Sequence, residues 1–439
     1  MRASDFGIGG RWKWAALSVL LAAAATQARE PYLYPYRPWD ALVFGALALL
    51  TAWGLLRTRQ LPVLALLLPA VGWVGFKEST AFYARYTVRD APTVEVEQLA
   101  AHLVVGFSSW REAEALAQSP AVGGLFVSSR NVRGLTPAQV AAAIEHLQAE
   151  RRKQGRVPLI IATDQEGGVV SRLSPPLSFQ PSLAEWVQGV RDPRAREARV
   201  RDYAATQATG LRALGVTVNL APVLDLDWGV VLKEDRFTRV YARALSSDAN
   251  IAAAIGTAYC DELERRGVYC VAKHFPGLGR VVGDTHLVDA DLPTEPRELE
   301  ASDWIPFRKV ITSTEALLMV AHARFIAIDP QRPASLSPTV LKLLRNDWGY
   351  NGVLITDDMT MRAARNSREG LRGGPAAALE HGMDLLLVSY DPDLLWPVLA
   401  GLLAARESGQ LTEAALQRSK ERLQRLSKPP RASMAVPKR

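Results

Sequence analysis

The sequence predicts an α/β protein: a (β/α)8 barrel of the TIM type preceded by an N-terminal transmembrane helical segment. Three observations predict it. From about residue 95, short β-branched or apolar runs alternate with helical stretches, the pattern of βα units around a parallel sheet. Polar residues collect at one end of those runs. Three apolar runs fill the first ninety residues. The expected organisation is a membrane region over 1–90 with two or three transmembrane helices, a barrel over 91–428, and a disordered basic tail over 429–439.

The apolar runs come first. "WKWAALSVLLAAAATQA" covers 12–28, "ALVFGALALLTAWGLL" covers 41–56 and "LPVLALLLPAVGWVGF" covers 61–76; the last two contain no charge. Each approaches the roughly 17–25 residues that cross a bilayer. The spacer "RTRQ" is so short that the second and third must run antiparallel as a hairpin. Trp, Tyr and Arg crowd the segment ends, as in "REPYLYPYRPWD", where interfacial anchors belong. The first run also reads as a cleaved signal, with a small residue before Arg29. Basic residues balance on the two sides, so charge counting does not orient the segment. With the N-terminus inside the cell, the body lies outside the cytoplasm, held at the inner membrane.

The net charge of +7 is not a property of the body. Residues 1–90 carry ten Lys/Arg against five Asp/Glu, and the tail from Lys428 adds four positives with no acid, leaving the stretch between slightly acidic. A basic face for nucleic acid is therefore not expected. The two cysteines, Cys260 and Cys270, build neither a disulfide framework nor a zinc spacing and read better as small buried apolar residues.

Eight strands are expected at 102–108, 123–129, 157–164, 216–225, 268–275, 316–323, 352–358 and 383–390. Helices lie between them. "TPAQVAAAIEHLQAERRKQG" opens on Thr136 as a cap, and "ANIAAAIGTAYCDELERRG" closes on Gly267. Two more, "DLLWPVLAGLLAARESG" and "TEAALQRSKERLQRL", finish the fold. Asp164, Asp225, Lys273, His274, His322 and Asp357 all fall at or just past the C-terminal ends of these strands. In a barrel that is the catalytic face, so an enzyme is expected rather than a structural protein.

Three chemistries suit such a face. A metal-dependent hydrolase of this fold commonly shows an H-x-H pair on the first strand, and "HLVVGFSS" lacks it. A phosphate-binding barrel needs a Gly-rich loop after strand seven or eight, where this chain reads "TDDMTMRAARN" and "SYDPDLLW". Glycosyl transfer remains, with a carboxylate on one side of a sugar ring and a proton donor on the other. No metal and no cofactor is expected.

At "KHFPGLGRVVGDTH", residues 273–286, the sequence resembles glycoside hydrolase family 3, in particular its single-domain β-N-acetylglucosaminidases. "ATDQEGGVVSRL", "NLAPVLDL", "RALSSDA", "LLMVAHA", "VLITDDMTM" and "HGMDLLLV" resemble further segments of that family in the same order, over about residues 98–428. The resemblance implies that Asp357 is the nucleophile, with Asp358 its adjacent rival. It also implies that His286, steered by Asp284, is the acid/base. An imidazole titrates near about 6.5 and an aspartate partner raises it, so such a pair can deliver a proton near neutral pH. Asp164, Arg172, Arg243, Lys273 and His274 would hold sugar hydroxyls, His274 as an orientable donor or acceptor. Glu166, with Gly167 and Gly168, reads as the shaper of a turn, and His322 and Asp225 as organisers of a polar floor.

Two features depart from the family's pattern: Leu278 stands where histidine is common, beside Arg280, and the membrane segment is added. The function expected is a membrane-anchored, metal-independent, retaining β-N-acetylhexosaminidase acting on peptidoglycan-derived or similar amino-sugar glycans. A β-glycosidase for another sugar and an inactive tethered glycan-binding protein are the alternatives.

Overall fold

The computed structural model describes residues 9–231, 235 and 237–430. Most of the expected tail, residues 431–439, lies outside the described residues. The chain divides into two compact units, Met1–Asp90 and Ala91–Arg439.

The first unit is helical: α1 (Gly9–Thr26), α2 (Arg37–Arg57) and α3 (Leu61–Asp90). Leu21, Ala48 and Leu67 meet at its centre, while Leu42, Leu49, Leu68 and Phe82 are exposed. Helices with large apolar side chains on their outer surface are unusual in water. Two of them, over Trp39–Arg57 and Leu61–Asp90, are long and apolar enough to cross a membrane. Arg29 grips Glu78 through two hydrogen bonds of 2.7 and 2.6 Å, tying the segment after α1 to α3. Cations also stack on rings: Arg57 over Trp53 at 4.2 Å at the end of α2, and Lys77 over Trp73 at 5.1 Å midway along α3.

The second unit holds eight parallel strands in a closed barrel. They are β1 (Leu103–Val105), β2 (Gly124–Phe126), β3 (Ile160–Thr163), β4 (Val218–Asn219), β5 (Tyr269–Phe275), β6 (Leu317–Val320), β7 (Leu354–Asp358) and β8 (Leu385–Val388). Each pairs with its sequence neighbours and β8 closes on β1, as in Val104↔Leu387 and Val104↔Gly124. All eight expected runs supply one strand each, shorter than the runs themselves. Alternate residues such as Val104, Val218, Met319, Ile355 and Leu387 fill the interior, so the barrel is packed rather than hollow.

The helices begin and end where side chains can satisfy their free backbone groups. Thr136 and Gln139 form a reciprocal cap at the start of the helix Pro137–Lys153. Asp248 accepts from the N–H groups of Asn250 and Ile251 at the start of α4 (Ala249–Arg265). Gly267, at φ +83°, turns the chain out of α4 into β5. At the N-terminal end of the barrel the fully buried Asp384 accepts from Arg345, Ser419 and Arg422. It thereby pins the helix Glu413–Leu423 to β8.

Cys260 and Cys270 are not separate apolar residues. They form a disulfide, with Cα atoms 5.4 Å apart, that joins α4 to β5. Their ten-residue spacing is what one helical return onto the next strand requires, and spacing alone carries no record of that return.

Beside this bond lies Glu264, buried, with Oε2 accepting the Glu315 N–H at 3.0 Å. Burial pushes its carboxyl up to about 8. A folded-state pKa raised above the unfolded value favours folding fully below pH 4.5, and that advantage is lost as pH rises toward 8. The melting temperature should therefore fall between those values. Glu264→Gln should flatten that decline, which differential scanning across pH 5–8.5 would show.

Candidate active site

The site forms where β3, β4, β5 and β7 end. After β3 the chain makes a small antiparallel hairpin, Gln165–Gly167 with Val170–Ser171. Gly167 sits at φ +95°, where a Cβ would lie 1.9 Å from the Tyr203 hydroxyl, so only glycine lets the hairpin lie this close. The hairpin directs Glu166 into a buried ion-pair chain. Lys273 Nζ reaches Asp164 Oδ1 at 2.6 Å and Glu166 Oε1 at 2.5 Å. Arg243 holds Glu166 bidentately, with Nη2 to Oε1 at 2.6 Å and Nε to Oε2 at 2.9 Å.

Glu166 is thus more than the shaper of a turn. Burial opposes its ionisation, but Arg243 and Lys273 hold its carboxyl far below the usual range. Asp164 is pushed the other way by burial, against the pull of Lys273. Two carboxylates face two cations, so the polar pocket carries near-balanced charge. Arg172 is exposed, and its side chain has no hydrogen bond or ion pair among the described residues. Its charge nevertheless bears on Asp164, and its N–H donates to the Asp164 carbonyl at 3.2 Å.

His274 is fixed rather than orientable. Its Nδ1 lies 2.6 Å from Asp225 Oδ2, which leaves Nε2 to accept from Arg243 Nη2 at 3.4 Å. Asp225, wholly buried, also takes the backbone N–H of His274 and that of Leu278. It anchors the end of β5 and the root of the following loop together.

That loop runs through Gly279, whose Cβ, were there one, would collide with the Leu226 carbonyl at 1.9 Å. Asp284 and His286 lie at its far end. His286 Nδ1 is 2.8 Å from Asp284 Oδ1. Asp284 also accepts from the Thr238 hydroxyl at 2.9 Å and the Phe237 N–H at 3.1 Å. Burial raises the Asp284 carboxyl, but the bonds from His286 and Thr238 outweigh it and bring it to about 2. The His286 ring, one-third exposed, packs 5.3 Å from Phe237. Its carbonyl accepts the Arg362 N–H at 3.3 Å, so the loop docks back on the segment just beyond β7.

β7 ends in the pair Asp357 and Asp358. Asp358 is committed: it accepts from the N–H groups of Thr360, Ser389 and Tyr390 and from the Ser389 hydroxyl. The Asp357 carboxylate accepts only the Asp358 N–H, at 2.8 Å, among the described residues. Burial would raise its carboxyl, yet the imidazoles of His274, His322 and His286 hold it low. His322, its own pKa lowered by burial, lies 3.1 Å from the Asp358 carbonyl through Nε2 and 2.6 Å from the Ser335 hydroxyl through Nδ1. A carbonyl only accepts, so Nε2 carries the proton.

The structure therefore gathers Asp164, Lys273, His274 and Arg243 into one cluster and His286 with Asp284 into another. Asp357 lies within the electrostatic reach of both. Sequence reasoning passed over Thr238 and Phe237, which lie in a loop with no strand or helix periodicity to mark them. It undervalued Glu166, whose only signal was an acid two residues past an expected strand end.

The sequence profile described as the Glycosyl hydrolase family 3 N terminal domain matches residues 93–426. A protein named beta-hexosaminidase from Neisseria meningitidis is 34% identical over 298 residues, covering 66% of this chain and 78% of its own. One of the same name from Thiobacillus denitrificans is 35% identical over 291 residues, covering 64% and 76%. Among solved structures, a family 3 beta-N-acetylglucosaminidase from Paenibacillus superposes with a TM-score of 0.68 at 32% identity. That match covers 76% of this chain and 62% of that one, so the chain spans less than two thirds of its length.

The ion-pair chain predicts its own weak point. Glu166→Gln leaves Lys273 and Arg243 buried with one carboxylate between them and should cost about 3–5 kcal/mol in urea unfolding. Arg172→Ala, at an exposed position, should stay within about 0.5 kcal/mol.

Proposed function

Since the chain belongs to glycosyl hydrolase family 3, we propose that it is a membrane-anchored β-N-acetylhexosaminidase working with retention of configuration. It would remove terminal N-acetylglucosamine from peptidoglycan-derived or similar amino-sugar glycans. That the enzyme is a glycoside hydrolase of the β-hexosaminidase kind follows from its relatives. The chemistry, the residue roles and the anchor are the proposal.

One observation supports the chemistry most. The uncommitted, ionised carboxylate of Asp357 stands at the end of β7, and the loop bearing the His286–Asp284 pair docks on the segment just after it. In this reading Asp357 attacks the anomeric carbon while the bond to the leaving oxygen breaks. His286 gives that oxygen its proton, and Asp284 stabilises and orients the imidazole. The imidazole then takes a proton from water, whose oxygen displaces Asp357 from the same carbon. Two inversions give retention. Asp164, Lys273, His274, Arg243 and Arg172 would grip the sugar hydroxyls, with Glu166 keeping Lys273 and Arg243 neutralised and in place.

The anchor rests on α2 and α3. At 1.5 Å per residue α3 is about 45 Å long, so a bilayer about 30 Å thick would enclose its first two thirds and leave Glu78 near the far interface. The Arg29–Glu78 pair and the Lys77–Trp73 stack suit that interface, and the Arg57–Trp53 stack suits the opposite one. Basic residues balance on the two sides of this hairpin, so the orientation proposed sets the turn between α2 and α3 on the cytoplasmic side by the placement of the N-terminus inside the cell, which puts the body outside the cytoplasm. The Cys260–Cys270 disulfide supports the same side, since such bonds persist in oxidising compartments.

Asp357→Asn should lower kcat on a chromogenic β-N-acetylglucosaminide by on the order of 10³–10⁴-fold with folding intact, and His286→Ala by about 10²–10⁴-fold. Equal activity in wild type and Asp357→Asn would remove the nucleophile assignment. Proton NMR of the first-formed sugar should show the β anomer. For topology, the full chain should stay in the membrane pellet after alkaline carbonate, and a C-terminal alkaline phosphatase fusion should be active. A soluble chain or an inactive fusion would overturn the anchor or its orientation, respectively.

A further inference from the structure

Trp228 has no part in the chemistry above, yet it is fixed as few exposed tryptophans are. The residue is 43% exposed. The Arg280 guanidinium lies against it, 3.7 Å from the ring centroid, and its Nε1 donates to Asp303 Oδ1 at 2.9 Å. Arg280 is itself held by Asp303 Oδ2 at 2.9 Å and Glu298 Oε1 at 2.5 Å. Three separate segments thus lock one indole in one orientation while much of its surface stays open to solvent. Holding a large apolar surface rigid and wet is unfavourable unless something lies on it.

Its position says what that is. Trp228 lies two residues past Leu226, on whose carbonyl Gly279 of the dyad loop rests. The polar cluster of Asp164, Glu166, Lys273 and Arg243 holds the sugar being cleaved, and the proton donor must face the oxygen that leaves. The leaving group therefore lies on the dyad-loop side, where the exposed apolar side chains among the described residues include Trp228, Phe237, Val282 and Val288. Arg280 is already neutralised by two carboxylates, so the platform does not select an anion.

We infer that Trp228, braced by Arg280 and Asp303, is a binding platform for the leaving group and takes the C–H face of a second pyranose ring. This rests on the glycosidase reading and deepens it. A ring stacked on an aromatic face gains both apolar burial and fixed orientation.

The test compares two substrates on the full-length enzyme: chitobiose, whose leaving group is a sugar ring, and β-N-acetylglucosaminyl fluoride, whose leaving group is a single atom. Trp228→Ala should lower kcat/KM for chitobiose about 10-fold, mostly through KM, and leave the fluoride within about twofold. Trp228→Phe, which keeps a ring, should recover most of the loss. The ratio of the two substrates does not depend on how much of a variant is folded. An unchanged ratio in Trp228→Ala would overturn the platform. A wild type inactive on both substrates would instead remove the glycosidase reading on which the platform rests.

Discussion

The geometry of the site depends on one buried carboxylate, that of Asp225. It has no contact with solvent and three donors: His274 Nδ1, the His274 N–H and the Leu278 N–H. The first fixes the imidazole, so that Nε2 faces Arg243 and through it Glu166 and Lys273. The last fixes where the dyad loop leaves β5. A single group thereby couples the cluster of Glu166, Lys273, His274 and Arg243 to the loop that carries Asp284 and His286. An unpaired buried charge is costly, so each donor is held as firmly as the carboxylate itself.

The barrel was legible because its signal repeats. Eight apolar runs each returned a strand, and the polar residues at their ends fell on one face of the closed barrel, since parallel strands all end on the same side. What stayed hidden depends on contacts between distant segments. Thr238 meets Asp284 across 46 positions, and Arg243 meets Glu166 across 77. Nothing in the local pattern around either records the partner. The cysteines were misread for a related reason: their pairing follows from how α4 folds back on β5, which composition does not encode. His274 was expected to turn freely, and only the depth of Asp225 shows that it is held.

The two units carry different physics in one chain. In the first, large apolar side chains face outward and two cations stack on tryptophan rings. In the second they face inward and the charges are paired inside the barrel mouth. The basic excess of the chain lies in residues 1–90 and in the tail from Lys428, while the stretch between them is slightly acidic.

Asp357 and Asp358 show how neighbouring identical residues come to differ. The pairing of β7 with β8 is irregular between Ile355 and Asp358, which sets Asp358 opposite Leu387 and within reach of Ser389 and Tyr390. Its oxygens take four hydrogen bonds and close the gap between two strands. A carboxylate so occupied has its lone pairs spent on donors and is a poor nucleophile. Asp357, one residue earlier, takes a single backbone bond on its carboxylate, whose pKa the imidazoles of His274, His322 and His286 hold low against burial. Chemical identity is the same at both positions. Only the number of donors each side chain meets separates a carboxylate that holds the strands together from one left with a single partner.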